Sequence, residues 1–321
     1  MRDLHGVRRL SVDSGHELYI ETRGNPAAPA AVYLHGGPGS GCQPMHHRLF
    51  DEQAWFSVFP DQRGAGRRTP HGSREANTTA HLVADLETLR QALGLENWLV
   101  VGGSWGATLA LAYAEAHPER VTGLVLRATF LGTREELDWA FGTGLSTFYP
   151  DLQQRLLALL EPNEQSNPLH ALWRLILRGD PARSPEAAWT FAEIETALSQ
   201  LVAPSSAPRR PGNPPPTAFM EAHYFAHDCF MAPGQLLANA DRLAGIPGII
   251  VQGRYDLLCP PITATRLCAA WPDAQLRLVE TAGHSLGQPE IFVAVAAAIT
   301  DIARDDAFAA RSRTHRPQAA Q

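Results

Sequence analysis

Residues 98–114 read WLVVGGSWGATLALAYA. The run 98–101 is continuously apolar and bounded by glycine, which suits a short strand buried on both faces. A helical stretch follows over 107–117 and ends before Pro118. Between them lies Gly102-Gly103-Ser104-Trp105-Gly106, a G-x-S-x-G match at a strand-to-helix turn. A turn that sharp is strained, and small neighbours let its serine lift a hydroxyl above the sheet edge. The pattern alone recurs by chance, so its place between a strand and a helix carries the reading. Ser104 is the candidate nucleophile.

Working outward, 17–22, 30–34 and 55–60 read as strands. Asn77-Thr78-Thr79 opens a helix on which Leu82, Leu86, Leu89 and Leu93 form one apolar stripe, and Gly94 stops it. The stretch 121–126 is a further strand. Strand and helix in alternation predict a mostly parallel sheet with helices on both faces, the α/β class. From about 132 to 240 the pattern changes to amphipathic helices, at 151–160, 170–178 and 186–201, with no strand. A proline-rich tract, 203–216, reads as a surface loop among them. Alternation resumes with a strand over 247–252, a helix over 263–270, a strand over 276–279 and a closing helix over 289–303. The charged tail from Arg304 should fray. The expected organisation is one α/β domain made of 1–131 and 241–321, with an all-helical cap, 132–240, inserted into it.

Chain order tests the nucleophile. In an architecture of this kind an acid follows a late strand and a histidine follows the last one. Asp256 stands just beyond the strand 247–252, and His284 just beyond the strand 276–279. Asp256 read alone is a helix cap, and His284 is one histidine among 13. Jointly they complete a triad: His284 takes the proton of Ser104, and Asp256 fixes the tautomer of His284 and stabilises the imidazolium. His35-Gly36-Gly37-Pro38-Gly39 follows an early strand, and its glycines let backbone N–H groups approach a substrate. The N–H groups of Gly37 and Trp105 are the expected oxyanion donors.

Composition removes other chemistries. Hydrophobic residues make up 45% and charged residues 19%, enough for a core and too little charge for disorder. A formal net charge of −6 offers no basic field for nucleic acid. All 27 basic residues are arginine, which excludes a lysine Schiff base and a lysine-bearing phosphate loop. Cys42, Cys229, Cys259 and Cys268 are scattered, as in a reduced protein, and Cys259 reads as a buried structural thiol. No apolar stretch is long enough to span a membrane, and the first residues lack a signal-peptide core, so cytoplasmic residence is expected. His46-His47 read as a solvated pair rather than metal ligands. Neither a metal nor a cofactor is expected.

With these residues in view, the chain resembles the proline iminopeptidases (prolyl aminopeptidases), serine peptidases of α/β-hydrolase fold. The matching stretches include HGGPGSG at 35–41, DQRGAGRRTPHG at 61–72, NTTAHLVADLETLR at 77–90 and GGSWGATLALAYA at 102–114. Later come REELDW at 134–139, EAHYF at 221–225, GRYD at 253–256, AWPDA at 270–274 and AGHS at 282–285. The resemblance implies release of an N-terminal residue, preferably proline, from small peptides with a free N-terminus. It also implies that cap glutamates bind the substrate amine: Glu221 in EAHYF, and Glu195 in AEIETALSQL, with Glu193 as the alternative to Glu195. Phe141, Phe148, Tyr149 and Tyr224 are candidates for an apolar pocket around a pyrrolidine ring. The chain departs from the family at Arg68, commonly serine, at Ile194, often tryptophan, and in the tract 203–216. The other reading of the same triad is an esterase or amidase acting on non-peptide acyl substrates.

Overall fold

The computed structural model describes residues 6–67, 72–202 and 212–313. Its strands are β1 (Gly6–Ser11), β2 (Glu17–Gly24), β3 (Ala30–Leu34), β4 (Phe56–Asp61), β5 (Trp98–Ser104), β6 (Val121–Thr129), β7 (Gly248–Gly253) and β8 (Ala274–Val279). They form an 8-stranded sheet in the order β1-β2-β4-β3-β5-β6-β7-β8. The pairs β1–β2 and β2–β4 are antiparallel, and every later pair is parallel.

The longer helices are α1 (Thr79–Ala92), α2 (Trp105–Ala116), α3 (Pro150–Ala158), α4 (Pro168–Arg178), α5 (Ser184–Ser199), α6 (Pro216–Phe225), α7 (Pro261–Ala270), α8 (Pro289–Ile302) and α9 (Asp306–Arg313). Helix α1 starts where its sequence says it should, with the Thr78 hydroxyl accepting the His81 N–H. Its leucines 82, 86 and 89, and Leu93 at its C-cap, are all buried. Each contributes about 1.5–3 kcal/mol of burial before entropy is subtracted.

The period-2 rule divides the core between the sheet's two faces. Val100 of β5 and Leu124 of β6 face the cluster that holds α1, α2 and the helices after β6. Leu99, Val101 and Val125 face the other cluster, with Ile291, Val295 and Ile299 of α8. Covered on both sides, β6 is buried at every residue.

Among the described residues between β6 and β7 there are helices and loops but no strand. Because β6 and β7 are parallel neighbours, this segment leaves from the carboxyl end of β6 and crosses back to the amino end of β7. Leu169, Leu172, Trp173 and Ile176 lay one apolar stripe along α4. Phe141 meets Phe191 at 4.9 Å between ring centroids, and Trp173 meets Phe225 at 5.9 Å. Ile194 is buried in this packing. Arg68 and the tract's residues 203–211 lie outside the described residues.

One element was not assigned from the sequence, and one expectation needs correction. The N-terminal GVRRLS is a strand, β1, whose side chains are largely solvated because it forms the antiparallel edge. The tail beyond Arg304 does not simply fray. Helix α9 docks by burying Phe308, whose ring lies 5.8 Å from that of Trp55. Arg311 then donates to the carbonyls of Val121 and Pro118.

Candidate active site

Ser104 ends β5 and precedes the first residue of α2, with φ 57° and ψ −125°. A non-glycine residue in that region is strained by about 1–3 kcal/mol. The neighbouring backbone leaves no slack for larger residues. A Cβ at Gly106 would stand 2.0 Å from the Leu34 carbonyl oxygen. Trp105 is the first residue of α2, so its N–H has no acceptor within the helix and lies at the positive end of the helix dipole.

Asp256 and His284 meet as their strand ends suggest. His284 Nδ1 is 3.0 Å from each carboxylate oxygen of Asp256. The other contacts of Asp256 orient it: Oδ1 accepts the N–H groups of Leu258 (3.1 Å) and Cys259 (2.8 Å), and Oδ2 accepts Gln252 Nε2 at 3.2 Å. With Nδ1 engaged by the carboxylate, Nε2 is the nitrogen left for a base. The His284 loop is tied to the nucleophile strand by Arg127, near the end of β6. Its guanidinium donates to the His284 carbonyl and fills the space where a Cβ on Gly103 would sit, 2.5 Å from Nη2.

The 35–41 loop is clamped by residues the sequence reading did not single out. His35 Nε2 accepts the Gln62 N–H (3.0 Å), while Gln62 Nε2 donates to the His35 carbonyl (2.8 Å). Gln62 Oε1 accepts the Trp105 indole N–H at 2.8 Å, joining this loop to α2. Buried Asp61 accepts the N–H groups of Cys42 (2.7 Å) and Arg67 (2.8 Å). Asn77 ties in the helical segment, because its Oδ1 accepts the Tyr224 hydroxyl (2.7 Å) and its carbonyl faces His223 Nε2. The legible signal was position: Asp61 and Gln62 directly follow the apolar run of β4, and Asn77 sits just before α1.

Ser104 and Gly37 line a small cavity of about 30 Å³ together with Glu195, Phe130, Phe141 and Phe225. Of the four aromatic candidates, Phe141 is in this lining. Phe148 is 53% exposed, Tyr149 donates to the Ala197 carbonyl, and Tyr224 packs on Trp105 at 4.6 Å. The sequence placed all four in the cap segment, outside its predicted helices, without saying which face the site.

The two glutamate positions separate clearly. Glu193 is taken by Arg155 of α3. Glu195 lines the cavity instead. Glu221 of α6 is buried, and neither of its carboxyl oxygens has a hydrogen-bond partner. Burial, with the neighbouring Glu195 charge added, pushes the Glu221 carboxyl well above the usual range. Burial raises Glu195 as well. Two desolvated carboxyls side by side hold a proton readily, since both cannot ionise cheaply without a cation.

His46 is not solvated as expected. It stacks on Tyr33 at 4.3 Å, and burial lowers its pKa to about 3, so its Nδ1 accepts the Gln43 N–H at 3.0 Å. His47 faces Glu21 at 3.6 Å. Cys259 lies with Asp256 and His284 in a group whose ligand atoms are within 4.8 Å of one another. Burial keeps its thiol protonated, which suits packing better than ligation.

The alpha/beta hydrolase fold family model matches residues 29–287. A proline iminopeptidase of Xylella fastidiosa is 44% identical over 290 residues, covering 89% of this chain and 92% of that protein. One from Arabidopsis thaliana is 42% identical over 288 residues, covering 88% and 76%. A crystal structure of a proline iminopeptidase from Mycobacterium smegmatis superposes with a TM-score of 0.62 at 19% identity, covering 94% of this chain and 100% of that one, a likeness of fold. The chain belongs to the proline iminopeptidase family of α/β-hydrolase-fold proteins.

Proposed function

We propose that this protein is a serine aminopeptidase that releases an N-terminal residue, preferably proline, from small peptides through an acyl-enzyme. The observation that carries the reading is one small, mostly apolar cavity with Ser104 and Gly37 and, in the same lining, Glu195 beside the unpartnered Glu221. The helical segment acts as a cap over the site.

In the first step Ser104 Oγ attacks the scissile carbonyl carbon while His284 Nε2 takes its proton. Asp256 holds Nδ1–H and stabilises the imidazolium. The oxyanion sits on the N–H groups of Gly37 and Trp105. Losing one such donor costs about 3–4 kcal/mol of transition-state stabilisation. Collapse expels the peptide amine, which takes the proton from His284. Water then hydrolyses the ester by the same route in reverse.

Recognition of the free amine follows from the carboxyl pair. A substrate ammonium entering beside Glu195 and Glu221 replaces the proton they hold and supplies the donors they lack. A blocked amine brings neither charge nor enough donors, so it leaves the pair uncompensated. Phe130, Phe141 and Phe225 offer apolar faces for a pyrrolidine ring. Cytoplasmic residence fits the four free thiols.

Purified protein should cleave prolyl-arylamide, fail on its N-acetyl derivative, and lose turnover in Ser104→Ala. Retained turnover in that variant would overturn the nucleophile. Equal rates on blocked and free substrates, or a preference for acyl esters over prolyl-arylamide, would overturn the aminopeptidase reading.

A further inference from the structure

Arg127 is a buried cation outside the proposed mechanism, and among the described residues no carboxylate pairs with it. It is 9% exposed, sits near the carboxyl end of β6, and has one hydrogen bond, to the carbonyl of His284. Its register partner on β5 is Gly103, the residue before Ser104, and its guanidinium fills the space a side chain there would take. Burying a guanidinium without a counter-charge costs several kcal/mol. A neutral side chain could fill the same volume without that cost, so packing alone does not account for an arginine.

We propose that Arg127 is a positioning residue for the base: wedged between Gly103 and the His284 carbonyl, it sets the spacing of the His284 loop over Ser104 and lends its positive charge to the site. The inference rests on the proposed triad. A guanidinium suits the task because its planar fork spans two backbone segments from one rigid group, which a lysine cannot do. Its charge also lies on the side of the His284 loop away from Asp256, so a pH profile reports on its removal as well as a rate does.

The other groups that set this balance are few. Asp256 faces His284 directly, Glu195 acts on it across the cavity, the buried Glu136 carboxyl lines that cavity, and the protonated Cys259 thiol lies beside Asp256 and His284. On the far side, Arg127 acts on Tyr33 and His46, which are neutral in the working range. Arg127 is therefore the positive charge in the set, and removing it leaves the base facing carboxylates alone.

The test uses the whole protein and a fluorophosphonate probe. Wild type should label to completion at Ser104. Failure to label would overturn the triad reading and this proposal with it. With wild type labelling, Arg127→Met and Arg127→Gln should reach the same end point, which counts folded sites, at a rate about tenfold lower. The acid limb of kcat/KM should move up by about half a pH unit or more with KM little changed, and Arg127→Lys should restore the limb but not the full rate. Wild-type labelling rates in a folded neutral variant, or an unmoved acid limb, would overturn the role of Arg127 and leave the triad standing. Should neither neutral variant fold, Arg127→Lys decides: slowed labelling with the wild-type limb supports the proposal, and wild-type labelling overturns it.

Discussion

Gln252 makes the most exacting prediction, because three buried partners depend on its one amide. Its Oε1 accepts the Thr129 N–H at 3.1 Å, and its Nε2 donates to Asp256 Oδ2 at 3.2 Å and to the Cys259 carbonyl at 2.8 Å. The side chain is fully buried. Gln252→Leu would orphan a buried N–H, remove one donor from a carbonyl and strip a donor from a carboxylate. At about 1–3 kcal/mol for an unsatisfied group and rather more for a charged one, the sum is about 4–6 kcal/mol. That is close to the whole stability of a marginal protein, so Gln252→Leu should hardly fold.

Gln252→Glu is the sharper experiment because its cost depends on pH. The carboxyl keeps the acceptor for Thr129. Protonated, it offers one proton where the amide offered two; ionised, it meets the Asp256 carboxylate with none. Burial and that like charge must raise its pKa above the unfolded value of about 4.3. An acid raised in the native state gives its stability below the unfolded value and loses it as pH rises through the native one. Urea midpoints for both proteins at pH 5 and pH 8 give the answer. The deficit of the variant should be about 1–2 kcal/mol at pH 5 and grow by about 2 kcal/mol or more at pH 8. A deficit that stays constant, or vanishes at pH 8, would show that Gln252 does not hold Asp256 as described.

Ser104→Gly should be more stable than Ser104→Ala by about 1 kcal/mol, read as a higher Tm, because glycine relieves the backbone strain at φ 57°; equal Tm values would refute stored strain. Glu115 is buried, one of its oxygens has no partner, and burial raises its pKa to about 7. Its contribution is present below about pH 4.5 and lost as pH rises through about 7. Glu115→Gln should therefore gain on wild type by about 2 kcal/mol between pH 5 and pH 8, with solvent screening allowed for, and a flat difference would sink the assignment. Glu195→Gln should lower kcat/KM for free-amine substrates about tenfold or more, whereas Glu193→Gln should alter stability through lost pairing with Arg155 and leave selectivity alone; the reverse pattern would exchange their roles.

What the sequence revealed depended on local signals. The elbow at Ser104 was legible because an apolar run, small residues and a helical run follow one another without a gap. Asp256 and His284 were legible from strand ends and chain order. Strand β1 was not, since an edge strand with solvated arginines breaks the apolar alternation that marks a buried strand. Helix α9 was hidden because a single buried phenylalanine, Phe308, docks an otherwise polar segment. Gln252 and Arg127 gave no signal at all, and Gln62 gave only its place after the apolar run of β4. Their importance lies in partners far along the chain, and a hydrogen bond from β6 to a loop after β8 leaves no period in the sequence. The same gap explains the aromatic set, which the sequence placed in the cap segment without showing which members face the cavity.

The positions of these hidden residues follow a chemical logic. Amides join the loops of the site: Gln62 links His35 to Trp105, Asn77 links the core to Tyr224, Gln252 holds Asp256, and Gln288 Oε1 accepts the Gly283 N–H at 2.7 Å beside His284. An amide donates and accepts at once and does not titrate, so it fixes geometry equally at every pH in the working range. A carboxylate in these places could only accept and an arginine could only donate, so each would lose half of the pairing. Either would also bring a further charge into the proposed site. The charged groups around the site are then Asp61, Asp256, Arg127, Glu136 and the Glu195–Glu221 pair, and on the proposed reading an arriving ammonium would neutralise the last of these. If the pair binds the substrate amine as proposed, a free amine brings the charge that compensates it and a blocked one does not, which is the difference a test with blocked substrates reads.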